Sequence, residues 1–84
     1  MKRYSIHTED KNEKWIKELL SIGFDGFTLI KGRGFWKGVE EKSLEIIIYT
    51  DNTYLVKAMA DRIKHTNKQD AVLVTETNCK IELR

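Results

Sequence analysis

The chain has 84 residues, 15 of them Lys or Arg and 13 Asp or Glu, for a formal charge of +2. That length allows one domain, and the near balance of charge excludes the strongly basic surface normal for a protein that grips nucleic-acid phosphates. A composition that is 40% hydrophobic and 33% charged is that of a globular domain, neither disordered nor membrane-spanning.

Tyr4 and Ile6 alternate with Ser5 and His7, the period of a half-buried first strand. Asp10, followed three residues later by Glu13, resembles a capping box and predicts a helix over 11–22. Its apolar stripe is Trp15, Ile16, Leu19 and Leu20, extended by Ile22, and Gly23 is expected to end it as a left-handed cap. Aromatic and β-branched residues from Phe24 to Ile30 predict a second strand, and a glycine-punctuated loop is expected from Lys31 to Lys42. The third strand, over 43–50, is apolar on both faces. Asp51 or Asn52 caps a second helix through about Lys64, with the stripe Leu55, Val56, Met59, Ala60 and Ile63, and Asn67 is expected to take a left-handed cap. A last β segment begins at Ala71-Val72-Leu73-Val74-Thr75. Cys79, Ile81 and Leu83 then alternate with Lys80, Glu82 and Arg84, either as one long strand or as a hairpin turned at Thr77-Asn78.

The order β-α-β-β-α-β predicts an α+β fold, a ferredoxin-like sandwich in a single domain, 1–84, with two helices on one face of an antiparallel sheet and a possible extra C-terminal strand. The other face then needs water or a partner. With Leu44, Ile46 and Ile48 under the helices, Ile47 points outward beside Tyr49, which marks these two as candidate oligomer-interface residues. A chain of this size buries only about 60–65% of its unfolded surface, a further reason to expect a dimer or trimer.

The segment Lys31-Gly32-Arg33-Gly34-Phe35-Trp36-Lys37-Gly38 is the candidate ligand site. Glycines expose backbone amides, Lys31, Arg33 and Lys37 supply anion contacts, and Phe35 and Trp36 offer a stacking surface. No helix with Gly-Lys-Ser/Thr follows, so it is not a Walker loop. Lys31, Gly32, Gly34 and Phe35 match part of the RNA-recognition signature, but Arg33 and Gly38 stand where stacking aromatics belong, and nucleic acid is discounted. Acidic Thr8-Glu9-Asp10 stands where an acylphosphatase-like enzyme would cradle phosphate. The single cysteine, Cys79, excludes a disulfide framework and a multi-cysteine metal site, and it is expected to be a half-buried structural residue. No cofactor or metal is expected. No apolar signal core follows Met1-Lys2-Arg3-Tyr4, so the expected location is the cytoplasm.

The run Leu20-Ser21-Ile22-Gly23-Phe24-Asp25-Gly26-Phe27-Thr28, with the loop through Lys37-Gly38, resembles PII-type signalling proteins. In these a helix ends in a glycine turn, a second strand follows, and a Gly-aromatic-Gly-basic run opens the regulatory loop. The resemblance implies a ferredoxin-like trimer that binds adenine nucleotides between subunits. The family's glycine-rich phosphate loop after the second helix is here His65-Thr66-Asn67-Lys68-Gln69-Asp70. Gly32 to Trp36, Glu40-Glu41-Lys42-Ser43 and Val72-Leu73-Val74 are also similar to small uncharacterised bacterial and phage proteins. A phage source would imply a nucleotide sponge or an inhibitor of a host factor.

The resulting expectation is a homo-oligomer that binds a small anionic ligand, a nucleotide, for regulation or sequestration, with Arg33, Lys37 and loop amides on phosphate and Trp36 or Phe35 on the base. It is expected not to be an enzyme, because nothing pairs a nucleophile with a base. The alternative is an interaction protein that regulates a protein partner through the glycine-rich loop.

Overall fold

The computed structural model describes residues 1–84. Six elements follow one another: β1 (Lys2–Glu9), α1 (Glu13–Gly23), β2 (Thr28–Trp36), β3 (Val39–Thr50), α2 (Thr53–Thr66) and β4 (Leu73–Asn78). The strands form one antiparallel sheet in the order β2-β3-β1-β4, with both helices on one face. This is the expected ferredoxin-like sandwich.

The two-residue period of a strand sorts each face. Tyr4, Ile6 and Thr8 of β1 pair with Ile48, Ile46 and Leu44 of β3, and all six are buried under the helices. From above, α1 contributes Ile16, Leu19 and Leu20, and α2 contributes Val56, Met59, Ala60 and Ile63. Each fully buried large aliphatic side chain is worth about 1.5–3 kcal/mol, so this layer carries most of the stability. Ile22, expected to extend the α1 stripe, is 82% exposed, because it falls on the far side of the last helical turn.

Several ends differ from the expectation. α1 begins at Glu13 behind a left-handed Asn12 (φ 56°) with no side-chain cap, because the Asp10 N–H still donates to the Lys42 carbonyl (3.0 Å) and ties that residue to the sheet. Gly23 is the last helical residue and takes no left-handed conformation. Its missing Cβ serves the helix–helix approach instead, since a Cβ there would lie 2.8 Å from the side-chain ends of Leu55 and Met59. Asn52 caps α2 as expected, accepting from the Leu55 N–H at 3.0 Å. At the other end Lys68 (φ 54°), not Asn67, takes the left-handed position.

The largest difference is the glycine-rich segment. It is not a loop: β2 runs on to Trp36, β3 returns from Val39, and the pairing is continuous from Thr28↔Ile47 to Trp36↔Val39. Only Lys37 and Gly38 turn, both with positive φ (51° and 78°), the signature of a primed two-residue hairpin that follows the strand twist. Glycines with weak local preference are held extended because β3 supplies a hydrogen-bonding partner along the whole segment. Beyond β4 the Cys79 N–H donates to the Met1 carbonyl (3.1 Å), after which 80–84 form neither an extra strand nor a hairpin. Cys79 is half-buried, as expected. No helix is long and apolar enough to cross a membrane.

Candidate functional site

The β2–β3 hairpin projects beyond the end of β1, and the segment joining α2 to β4 comes down on the other side of that end. Between them lies a cleft of about 580 Å³, against about 450 Å³ for a polar concavity at the end of α2 and about 280 Å³ for one beside α2 and β4. Binding clefts for small molecules run from about 300 to 1,000 Å³. The floor is the end of β1, His7 to Glu9; one wall is the hairpin; the other is Lys68 to Leu73.

A buried polar knot sets the second wall. Asn67, only 3% exposed, donates through Nδ2 to the Lys11 carbonyl (3.4 Å) and to Thr8 Oγ1 (3.5 Å), and its Oδ1 accepts from Asn12 (2.8 Å). Thr8 in turn donates to the Gln69 side chain. The connection between α2 and β4 is therefore pinned to the end of β1 by side chains, not by a ladder.

Of the eight residues expected to bind ligand, four meet at the cleft: Arg33, Gly34, Phe35 and Trp36. Phe35 (73% exposed) and Trp36 (56%) are open to solvent, as a stacking surface requires. Gly34 leaves the strand bare opposite Glu41, where a methyl group would touch the Cβ of the diagonal neighbour Ser43 at 3.4 Å. The other four do not line the cleft. Lys31 turns to the helix side, 3.3 Å from Glu13 and 3.7 Å from Asp10; the hydrogen bond to Glu13 and the charge of Asp10 raise its pKa above the ordinary 10.5. Gly32 lies one pair further along the ladder. Lys37 and Gly38 form the turn, with the Lys37 ammonium 6.0 Å from the Trp36 ring centre, so that cation covers an aromatic and is not aimed at the cleft.

Glu9, Glu41, Lys68 and Asp70 were missed by reasoning along the chain. The signal lay in the topology: β1 and β4 are antiparallel neighbours, so the end of β1 meets the start of β4 and the segment before it, while Glu41 comes from the hairpin register opposite Gly34. Glu9 is held by Lys11 (2.6 Å) and Arg33 lies 3.5 Å from Glu40, whereas Glu41, Lys68 and Asp70 have no ion-pair partner. The unpaired charges at the cleft are thus two carboxylates and one ammonium.

On the face away from the helices, Ile47 is 9% exposed within the single chain, covered by its neighbours Ser5 and Thr28, while Tyr49, Ile30 and Leu73 stand open. A polar line crosses this face: Arg3 donates to Ser5 Oγ (3.2 Å), Ser5 donates to Glu45 Oε2 (2.8 Å), and His7 Nε2 lies 3.7 Å from the same oxygen.

No protein-family model and no curated protein sequence matches the chain. Solved structures do. A PII-like nitrogen regulatory protein, CPII from Thiomonas intermedia K12, bound to ADP, AMP and bicarbonate, superposes with a TM-score of 0.73 at 16% identity, over 99% of this chain and 93% of its own. CutA1 from Pyrococcus horikoshii gives 0.68 at 23%, over 99% and 87%. A phage SAM lyase in its apo state gives 0.72 at 21%, over 90% and 78%. The likeness to PII-type proteins expected from the residues is therefore a likeness of fold. The expectation that the chain is not an enzyme is corrected: a lyase stands among the proteins built on this fold, and a missing nucleophile–base pair does not exclude catalysis.

Proposed function

We propose that the cleft between the hairpin and the α2–β4 segment binds an adenosine-bearing small molecule of low net charge, with SAM as the first candidate substrate or ligand. The observation that carries this reading is the charge at the cleft. Exposed Phe35 and Trp36 offer faces for a base, but the unpaired groups Glu41, Asp70 and Lys68 sum to one negative charge. A polyphosphate meets net repulsion there; a ligand with a carboxylate, an ammonium and a sulfonium finds a partner for each, including aromatic faces for the cation. Adenosine compounds bound to one protein of this fold and SAM acted on by another support the same class. Lys68, the one unpaired cation, is the group for the ligand's carboxylate, with Arg33, held by Glu40, at the opposite wall.

We read the working form as a homo-oligomer whose open sheet face, around Ile47, Tyr49, Ile30 and Leu73, is buried between copies. The polar line from Arg3 to Glu45 keeps its charged groups paired when water leaves.

The test is calorimetric titration of the chain with SAM, AMP, ADP and ATP, with SAM turnover followed chromatographically in the same samples. SAM is expected to bind more tightly than ATP. Trp36→Ala should weaken it by about 5- to 150-fold, the worth of one stacked base. Tighter ATP binding defeats the charge argument, and binding indifferent to both Trp36→Ala and Lys68→Ala defeats the site. If nothing in the panel binds, the hairpin belongs to a protein partner, and a specific pull-down should find it.

A further inference from the structure

We infer that Lys68-Gln69-Asp70, the segment leaving α2, reads the α-amino-acid end of the ligand, its carboxylate and its ammonium together. This rests on the reading of the cleft as a site for an adenosine compound such as SAM, and it names the groups that tell a ligand with a carboxylate from one without. All three residues line the cleft, and they present in order a cation, a neutral amide and a carboxylate. An α-amino acid carries the matching opposite charges on one carbon.

What Gln69 presents is decided by the buried knot. A side-chain amide can meet a neighbour with its oxygen or with its nitrogen. The Lys11 carbonyl can only accept, so the Asn67 atom 3.4 Å from it is Nδ2, and Oδ1 is left to accept from Asn12 (2.8 Å). The same Nδ2 donates to Thr8 Oγ1 (3.5 Å), and the Thr8 hydroxyl passes its own proton to Gln69 Oε1. Were Gln69 to donate instead, the buried Thr8 hydroxyl would have no acceptor; turning the whole chain round would set the Asn67 oxygen against the Lys11 carbonyl, two acceptors with no proton between them. The knot therefore holds the Gln69 amide with its oxygen inward. Its Nε2, with two N–H donors, has no partner in the chain, and it opens to solvent, because no buried side-chain nitrogen or oxygen is left unpaired.

Lys68 stands next to this amide in the left-handed conformation (φ 54°), where glycine is the favoured residue. The turn is closed by the Lys68 N–H on the His65 carbonyl (3.2 Å) and the Gln69 N–H on the Lys64 carbonyl (3.0 Å). An ammonium and an oriented amide then serve the two oxygens of one carboxylate, by charge-assisted hydrogen bonds. Asp70, with no ion-pair partner, takes the ammonium on the same carbon. The other charged groups do not compete for the carboxylate: Arg33 is held by Glu40 and Glu9 by Lys11, while Glu41, on the hairpin wall with the aromatic rings, is left for the sulfonium.

The experiment is calorimetric titration of the full chain with SAM, decarboxylated SAM and methylthioadenosine. Decarboxylated SAM carries one more net positive charge than SAM, so the negative charge of the cleft as a whole favours it, whereas the subsite favours SAM. SAM is expected to bind about tenfold or more tightly than either analogue, the worth of one hydrogen bond to a charged group. Gln69→Glu keeps an oxygen for Thr8 and replaces the two donors by an acceptor. The fold should survive it, as a thermal melt will verify, while SAM weakens by about tenfold or more and decarboxylated SAM becomes the tighter ligand. Thr8→Val frees the amide to turn, and it should narrow the preference for SAM while leaving decarboxylated SAM unchanged. A wild type that binds either analogue as tightly as SAM overturns the inference and leaves the cleft standing, as does a ranking that ignores Gln69→Glu. If none of the three binds, the inference falls together with the reading of the cleft.

Discussion

The middle of the sheet and its hairpin end are parts of the same antiparallel ladder, yet different forces hold them. At the middle, Ile6, Ile46 and Ile48 lie wholly beneath the helices, and burial sets both register and face. At the hairpin, no helix lies above Arg33 to Glu41, and the strands are kept together by backbone pairing, by two left-handed turn residues and by surface charges. The middle is built for stability, and the hairpin end leaves aromatic and charged groups available for a ligand.

The sharpest way to break this contrast is to move the same kind of change between the two regions. Ile46→Ala should cost about 2–5 kcal/mol in urea unfolding, enough to threaten a chain this small, whereas Trp36→Ala should stay within about 0.5 kcal/mol while altering ligand binding. Comparable losses at the two positions would mean that Trp36 is part of a core. Next in size is Asn67→Ala, expected to cost about 1–3 kcal/mol because Asn12 and the Lys11 carbonyl lose their buried partner. It should also weaken ligand binding, which Asn67 does not touch, by releasing the wall at Lys68 to Asp70. Stability loss without a binding change would separate the knot from the site. Gly38→Ala should cost about 1–2 kcal/mol, the strain of a left-handed side chain, while Gly23→Ala should cost less, because only the flexible ends of Leu55 and Met59 must give way to the new methyl group. Equal effects at both glycines would remove the turn argument.

The smallest effect concerns the exposed ion pairs, read as melting temperature against pH. The Lys31 pKa is raised by Glu13 and Asp10, so its contribution is fully present below about 10.5 and disappears as the pH climbs through the higher folded value. Lys31→Met should flatten that alkaline decline and leave the neutral range nearly unchanged. For Glu76 the hydrogen bond and charge of Lys2 lower the pKa, so the contribution holds above the ordinary carboxylate value and is lost as the pH falls through the depressed one. Glu76→Gln should remove that acidic loss.

Much of the candidate site was legible along the chain, though not its shape. Arg33, Gly34, Phe35 and Trp36 stand out because they interleave glycine with aromatic and basic residues. Lys31 and Lys37 carry the same charge but are taken up by Glu13 and by the Trp36 ring, contacts set by strand register and by the turn. Glu41 reaches the cleft through the β2–β3 register, opposite Gly34, and Asp70 through the antiparallel arrangement of β1 and β4, neither of which a local pattern contains.

What the amino-acid order determined by itself was the element order, the buried stripe of each helix and the inward set of β3, since these follow from periods of 3.6 and 2 repeated over many residues. What only the tertiary structure decided was that 31–36 is strand, that Gly23 makes room for α2 in place of capping α1, and that the start of β4 closes a cleft with the hairpin. Those outcomes depend on what lies opposite each residue. A backbone group takes whatever hydrogen-bonding partner the neighbouring strand brings to it, whatever its own side chain would have preferred.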